Sequence, residues 1–336
     1  MVAGVGPEQP TIAEKFVRLF HLPYFLGCII WALVLLEIPI LLERHFRPHE
    51  PISGQGILYL IVIFFMSVYF PLSVRYVRTK LLEAEPKISS VLPDGEADYH
   101  KTFGRAVSYL GQILVIIAIL FMAIYVIVHT GSMTSRVINS ICAVYIATML
   151  GSLIWFNLGC IIGLYQLGGK SLKFKSFRED PKTGTRPMGL LCLSLSGAYF
   201  VGVILLILFS ATSPNELYKI PYLKVIYAVL ILVGLAMFFI PLYRVHLRMV
   251  EERNRQELLI QRQFDVTSNN LKSSGVENQL NNIQVLLSLV MADRKLQSTS
   301  TWPFDTSLLG QLFIFLLPVI AAAIATYVAE LIRINL

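Results

Sequence analysis

Seven long apolar runs alternate with polar stretches along the chain, near residues 23–42, 56–75, 106–129, 137–165, 188–211, 221–242 and 307–329. Each is nearly free of charge and reaches about 18 residues or more, enough for a helix to cross the hydrocarbon of a bilayer. A membrane β-barrel would instead show short segments of alternating character. The pattern predicts an all-α polytopic membrane protein with seven transmembrane helices. The first run leaves into ERHFRPHE without a small-residue cleavage pattern, so it is expected to remain as a helix. Four segments result: a leader over 1–22, a six-helix bundle over 23–242, a polar stretch over 243–302 and a last helix over 303–336.

The polar stretches carry their own patterns. In the leader, Thr11 and Glu14 have capping-box spacing, and Ile12, Phe16, Leu19 and Phe20 share one helical face. This predicts a short amphipathic helix on the inner membrane surface. After the sixth run, YRVHLRMVEERNRQELLIQRQF (243–264) is rich in good helix formers. At 1.5 Å per residue it carries that helix roughly 33 Å beyond the membrane. DVTSNNLKSSG (265–275) reads as a break. A second helix of similar length then follows, with Leu280, Ile283, Leu287 and Val290 as its apolar seam. The matched lengths predict a helical hairpin that stands in the cytoplasm and returns to the membrane. Trp302 suits the interface, Pro303 turns the chain, and Asp305 or Thr306 can cap the last helix.

Charge orients this arrangement. Of 28 Lys and Arg residues, 22 fall in the leader and the second, fourth and sixth loops, and six in the opposite loops and the tail. Excess Lys and Arg marks cytoplasmic loops, which predicts an N-in, C-out topology, in the plasma or cytoplasmic membrane. The net charge of +7 is therefore topological and does not point to nucleic acid. Within the fourth loop, Lys170, Lys173, Lys175 and Arg178 are candidate contacts for anionic lipid headgroups. The loops on the other side are about ten residues each, too short for a ligand-binding domain.

Catalytic chemistry is not indicated. No HExxH, GxSxG or paired-aspartate motif occurs, and LGGKSLK (167–173) lacks the glycine spacing of a phosphate-binding loop. His45 and His49 are separated by a helix-breaking Pro48, and Cys28, Cys142, Cys160 and Cys192 all lie in apolar runs. No cofactor or metal is expected. The main ionisable group inside a span is Glu37, with Asn139, Asn157, Ser194, Ser196 and Tyr199 as further polar groups. An intramembrane carboxylate is a functional-site candidate, facing the bundle interior or a cavity; pairing with Arg136 is the structural alternative. In the last run Gln311, Phe315, Pro318, Ala322, Ala325, Thr326 and Ala329 form one stripe, followed by Glu330. Small residues at that spacing serve close helix packing or a pore wall, with Glu330 setting charge at the outer mouth.

In the last helix Thr326-Tyr327 is followed by VAELI and then Arg333-Ile334. Together with the seven-span, N-in topology, this resembles the insect gustatory and odorant receptor-like channels. Their gustatory branch carries Thr-Tyr, five mostly apolar residues and Gln-Phe; the chain departs from the second half of that signature. The resemblance implies a homo-tetrameric, ligand-gated cation channel lined by the last helix, with a small-molecule pocket in the outer half of each bundle. From the residues themselves, a channel, a membrane scaffold using its hairpin and a secondary transporter all remain open. The transporter lacks the expected internal repeat.

Overall fold

The computed structural model describes residues 8–45, 54–128, 133–170, 172–173, 184–213, 222–273, 276–298 and 301–335. Among them the chain is helical, with no strand. The helices are α1 (Ile12–Val17), α2 (Tyr24–Ala32), a π-helical turn (Leu33–Glu37), α3 (Ile38–His45), α4 (Gly54–Ser89), α5 (Glu96–Phe103), α6 (Tyr109–Val128), α7 (Met133–Leu167), α8 (Arg186–Thr212), α9 (Tyr222–Ser273), α10 (Val276–Ser298) and α11 (Thr306–Asn335). Seven of these stretches are long and apolar enough to cross a membrane, and they coincide with the seven apolar runs. The chain fits a multi-pass integral membrane protein.

α8 is the central rod. It packs against α4, α9 and α11, and Met188, Cys192, Leu195, Phe200 and Ile207 along it are fully enclosed. α6, by contrast, touches mainly α7 and leaves Leu110, Phe121 and Met122 more than two-thirds exposed, as suits a helix facing lipid. The four cysteines are free and buried, which agrees with their reading as packing residues.

At the end of the bundle rich in Lys and Arg, a second layer forms outside the apolar runs. α4 continues through Pro86 to Ser89, and Pro93-Asp94-Gly95 turns the chain, with Gly95 at φ 58°. α5 then folds back, placing Tyr99 and Phe103 among Leu81, Ile88 and Leu92. The Tyr99 hydroxyl donates to Leu81 O at 2.6 Å. Lys170 and Lys173 close this layer: Lys170 Nζ donates to Asp98 Oδ1 at 2.5 Å, and Lys173 Nζ donates to Pro93 O at 3.0 Å.

The leader helix is tied to the bundle. The capping box is present, with Thr11 and Glu14 bonded reciprocally, but the buried face is Ala13, Glu14 and Val17. Leu19 and Phe20, expected on the apolar side, are exposed. The tie is made by distant partners that local periodicity does not reveal. Arg78 Nε donates to Glu14 Oε1 at 2.9 Å, Gln112 Oε1 accepts from Ile12 N at 2.9 Å, and the Tyr109 hydroxyl donates to Pro10 O at 2.9 Å. Trp31 Nε1 adds a bond to Phe16 O at 3.1 Å. α1 is therefore docked into the bundle through α4 and residues at the start of α6.

Three expectations are corrected along α9 and α10. The helix runs through DVTSNNLKS to Ser273 and does not break at 265. The propensity cost of Thr, Ser and Asn is only a few tenths of a kcal/mol each, and Thr267 Oγ1 returns to Gln263 O at 2.8 Å. α9 thus reaches about 46 Å past Leu242 while the 23 residues of α10 span about 35 Å, so the two lengths do not match. The two helices lie against each other, with Arg253 donating to Gln297 O at 3.4 Å. The seam also differs. α10 buries Leu289 and Leu296, while Leu280, Ile283, Leu287 and Val290 are exposed. α10 carries two apolar stripes, and contact with one helix can cover only one of them.

The return to α11 is anchored by aromatic rings. Trp302 stacks on His246 with centroids 4.0 Å apart, and Phe304 packs against Phe238 and Phe239. Asp305 caps α11, its Oδ1 accepting from Leu308 N at 3.0 Å.

Candidate functional site

The last helix sits on the flank of the bundle. α11 uses Leu308, Leu312, Leu316 and Val319 to pack on the core, chiefly against α8. The stripe singled out from sequence runs along the edge of that contact. Phe315 rests on Gly197, where an added Cβ would lie 3.0 Å from the ring. Ala322 packs against the core, while Gln311, Pro318 and Ala325 are exposed. The side chains of Thr326, Ala329 and Glu330 lie outside the described ones.

Gln311 and Phe315 belong to a groove of about 460 Å³ between α4, α8 and α11. This falls within the roughly 300–1,000 Å³ range of small-molecule sites. Its walls are Tyr69, Leu72, Ser73 and Tyr76 from α4 and residues Leu190 to Val201 of α8. Helix packing explains the gap: α4 and α11 both lie on α8 but make little contact with each other. Three of the four lining hydroxyls are bonded to backbone. Tyr69 donates to Ala198 O, Ser73 to Phe70 O at 2.8 Å and Ser194 to Leu190 O at 3.0 Å. The wall is therefore largely apolar, with the Tyr76 hydroxyl and the Gln311 amide as its remaining polar groups. Single-helix periodicity did not reveal this groove, because it arises from three helices and a side chain count gives no sign of a missing contact.

Glu37 occupies a separate place. Pro39 has no N–H and cannot bond Leu35 O, so the helix widens into the π-turn at Leu33–Glu37. Ile38 N reaches back to Leu33 O, and the Cys142 thiol donates to Leu35 O at 3.4 Å. The Glu37 side chain is buried, and its Oε1 has no hydrogen-bond partner among the described residues. Arg136, the alternative partner, is exposed and is not paired with it.

The remaining polar candidates are mostly structural. Asn157 Nδ2 donates to Leu153 O at 2.9 Å, and the Tyr199 hydroxyl donates to Leu230 O at 3.0 Å, tying α8 to α9. Ser196 is fully buried with its hydroxyl unpartnered, and Asn139 is half-buried on α7. No group of three potential metal ligands occurs among the described residues. Of the headgroup candidates, Lys170 and Lys173 have their ammonium groups on Asp98 and Pro93, while Lys175 and Arg178 lie outside the described residues.

No protein-family model, no characterised protein and no solved structure matches the chain.

Proposed function

We propose that the protein is a homo-oligomeric channel in the plasma or cytoplasmic membrane, lined by α11 and gated by a small molecule. Its termini follow the N-in, C-out arrangement of the charges, and α9 with α10 forms a cytoplasmic hairpin. The resemblance to insect receptor-like channels makes a tetramer the expected assembly. One observation carries the reading. Leu280, Ile283, Leu287 and Met291 form an exposed apolar face on α10, a helix whose composition places it in water. Such a face in water marks an interaction surface, and copies of the same hairpin supply a matching one. α11, attached through one side, leaves Phe313, Leu317 and Ile324 free to meet neighbours or lipid.

The test is mass and conductance together. Purified protein in nanodiscs is expected to give a tetramer and to pass current in a planar bilayer. Leu287→Asp is expected to yield folded monomer without current. A wild-type monomer with no current overturns the reading and favours a membrane scaffold whose hairpin binds another protein.

A further inference from the structure

The groove between α4, α8 and α11 is a gap in the apolar zone of the bundle, open at the surface where Tyr76 and Leu190 are about half exposed. In a bilayer such a gap does not stay empty. Water is disfavoured there because most of the lining is apolar and Tyr69, Ser73 and Ser194 give their hydroxyl protons to backbone carbonyls. Leu190 to Val201 spans about 16 Å along this gap of about 460 Å³. A single flexible apolar chain fits.

The groove is also polar at one end only. On α4 the lining stripe 69, 72, 73, 76 continues, one turn further, to Lys80, whose ammonium lies 5.9 Å from the Tyr76 ring. On α8 the stripe 197, 194, 190 continues back to Arg186, which is more than half exposed and 3.7 Å from Asp305. α4 runs toward the basic end of the bundle and α8 away from it, so both cations stand at the same mouth. Their acidic neighbours, Glu83 and Asp305, are partly exposed and leave donors to spare.

We infer that this groove binds one anionic phospholipid from the leaflet at the basic end. An acyl chain lies along Leu72, Leu193 and Val201, and the phosphate sits between Lys80 and Arg186. Because the lipid touches both α4 and α11, its occupancy sets the separation of two helices that otherwise meet only through α8. The inference stands whether or not α11 lines a pore.

Native mass spectrometry of the delipidated full chain, titrated with phosphatidylglycerol or phosphatidylcholine, tests it. One tightly held phosphatidylglycerol per chain is expected, favoured over phosphatidylcholine by about tenfold or more. Lys80→Gln and Arg186→Gln should each weaken phosphatidylglycerol about fivefold, the contribution of one cation near a headgroup, and leave phosphatidylcholine unchanged. Ser194→Phe and Val201→Phe fill the groove and should abolish the tight site. Leu114→Phe on the lipid face of α6 should not. Two filling variants are used so that one can be lost to misfolding, with circular dichroism and monodispersity as the check on fold. Equal binding of the two lipids, absence of a tight lipid, or retention of it by a folded filling variant overturns the inference.

Discussion

An added Cβ at Gly159 on α7 would lie 2.4 Å from Ala106 Cα, whereas one added at Gly310 on α11 would meet nothing within 4 Å. The same contrast runs through the polar contacts. The α1–α8 region encloses an ion pair between Glu14 and Arg78, with Thr11 and Gln112 completing the bonds around it. The α9–α10 hairpin is held mainly by rings at its base, by Leu289 and Leu296, and by exposed ion pairs such as Arg248 with Glu251, while α9 and α11 join the core through Phe238, Leu242, Leu308 and Leu312. One part of the molecule has its positions determined from within. The other keeps apolar faces available, and its final arrangement depends on what those faces meet.

The largest effect that separates the two regions is expected from Glu14→Ala. It strands Arg78, which is nearly buried, and should lower stability by about 3–5 kcal/mol, read as a loss of melting temperature in detergent. The double variant Glu14→Ala with Arg78→Met should recover much of this; no recovery would show that the charge itself is not the cause. Next is Leu296→Ala, at about 2–3 kcal/mol for a buried leucine, expected to raise hydrogen exchange in α10 and not in α8. If α8 exchanges equally, the two regions unfold as one. Gly159→Ala should cost about 1–3 kcal/mol, since backbone on both sides must move apart. The smallest effect reverses sign. Gly310→Ala should stabilise by about 0.5–1 kcal/mol, because an open helical position gains from the lower entropy of alanine. A destabilised Gly310→Ala would mean that α11 packs more closely than its surroundings indicate.

The seven apolar runs were legible because each crosses roughly 30 Å of hydrocarbon by itself, so local composition is enough. The caps at Thr11 and Asp305 were legible for the same reason, both being contacts within three residues. What was hidden is non-local. The burial of Glu14 depends on Arg78, which lies 64 residues away, and α5 acquires its role only when Tyr99 meets Leu81. The choice between two apolar stripes on α10 depended on α9, and sequence favoured the stripe that the structure leaves uncovered. For the candidate site, Gln311 and Phe315 were identified from their helix, but their cavity partners on α4 and α8 were not. The π-turn at Glu37 had a visible signal in Pro39, although the thiol that answers it comes from Cys142, 107 residues on from Leu35.

The uninterrupted course of α9 from Tyr222 to Ser273 has a mechanical consequence. A stiff rod with its base held in the core from Phe238 to Met249 behaves as a lever. Tilting it by about 5° would swing its far tip by roughly 4 Å, given a reach of about 46 Å. Small rearrangements near the anchor are thereby magnified at a point well outside the apolar zone, and forces applied at that point are returned with mechanical advantage.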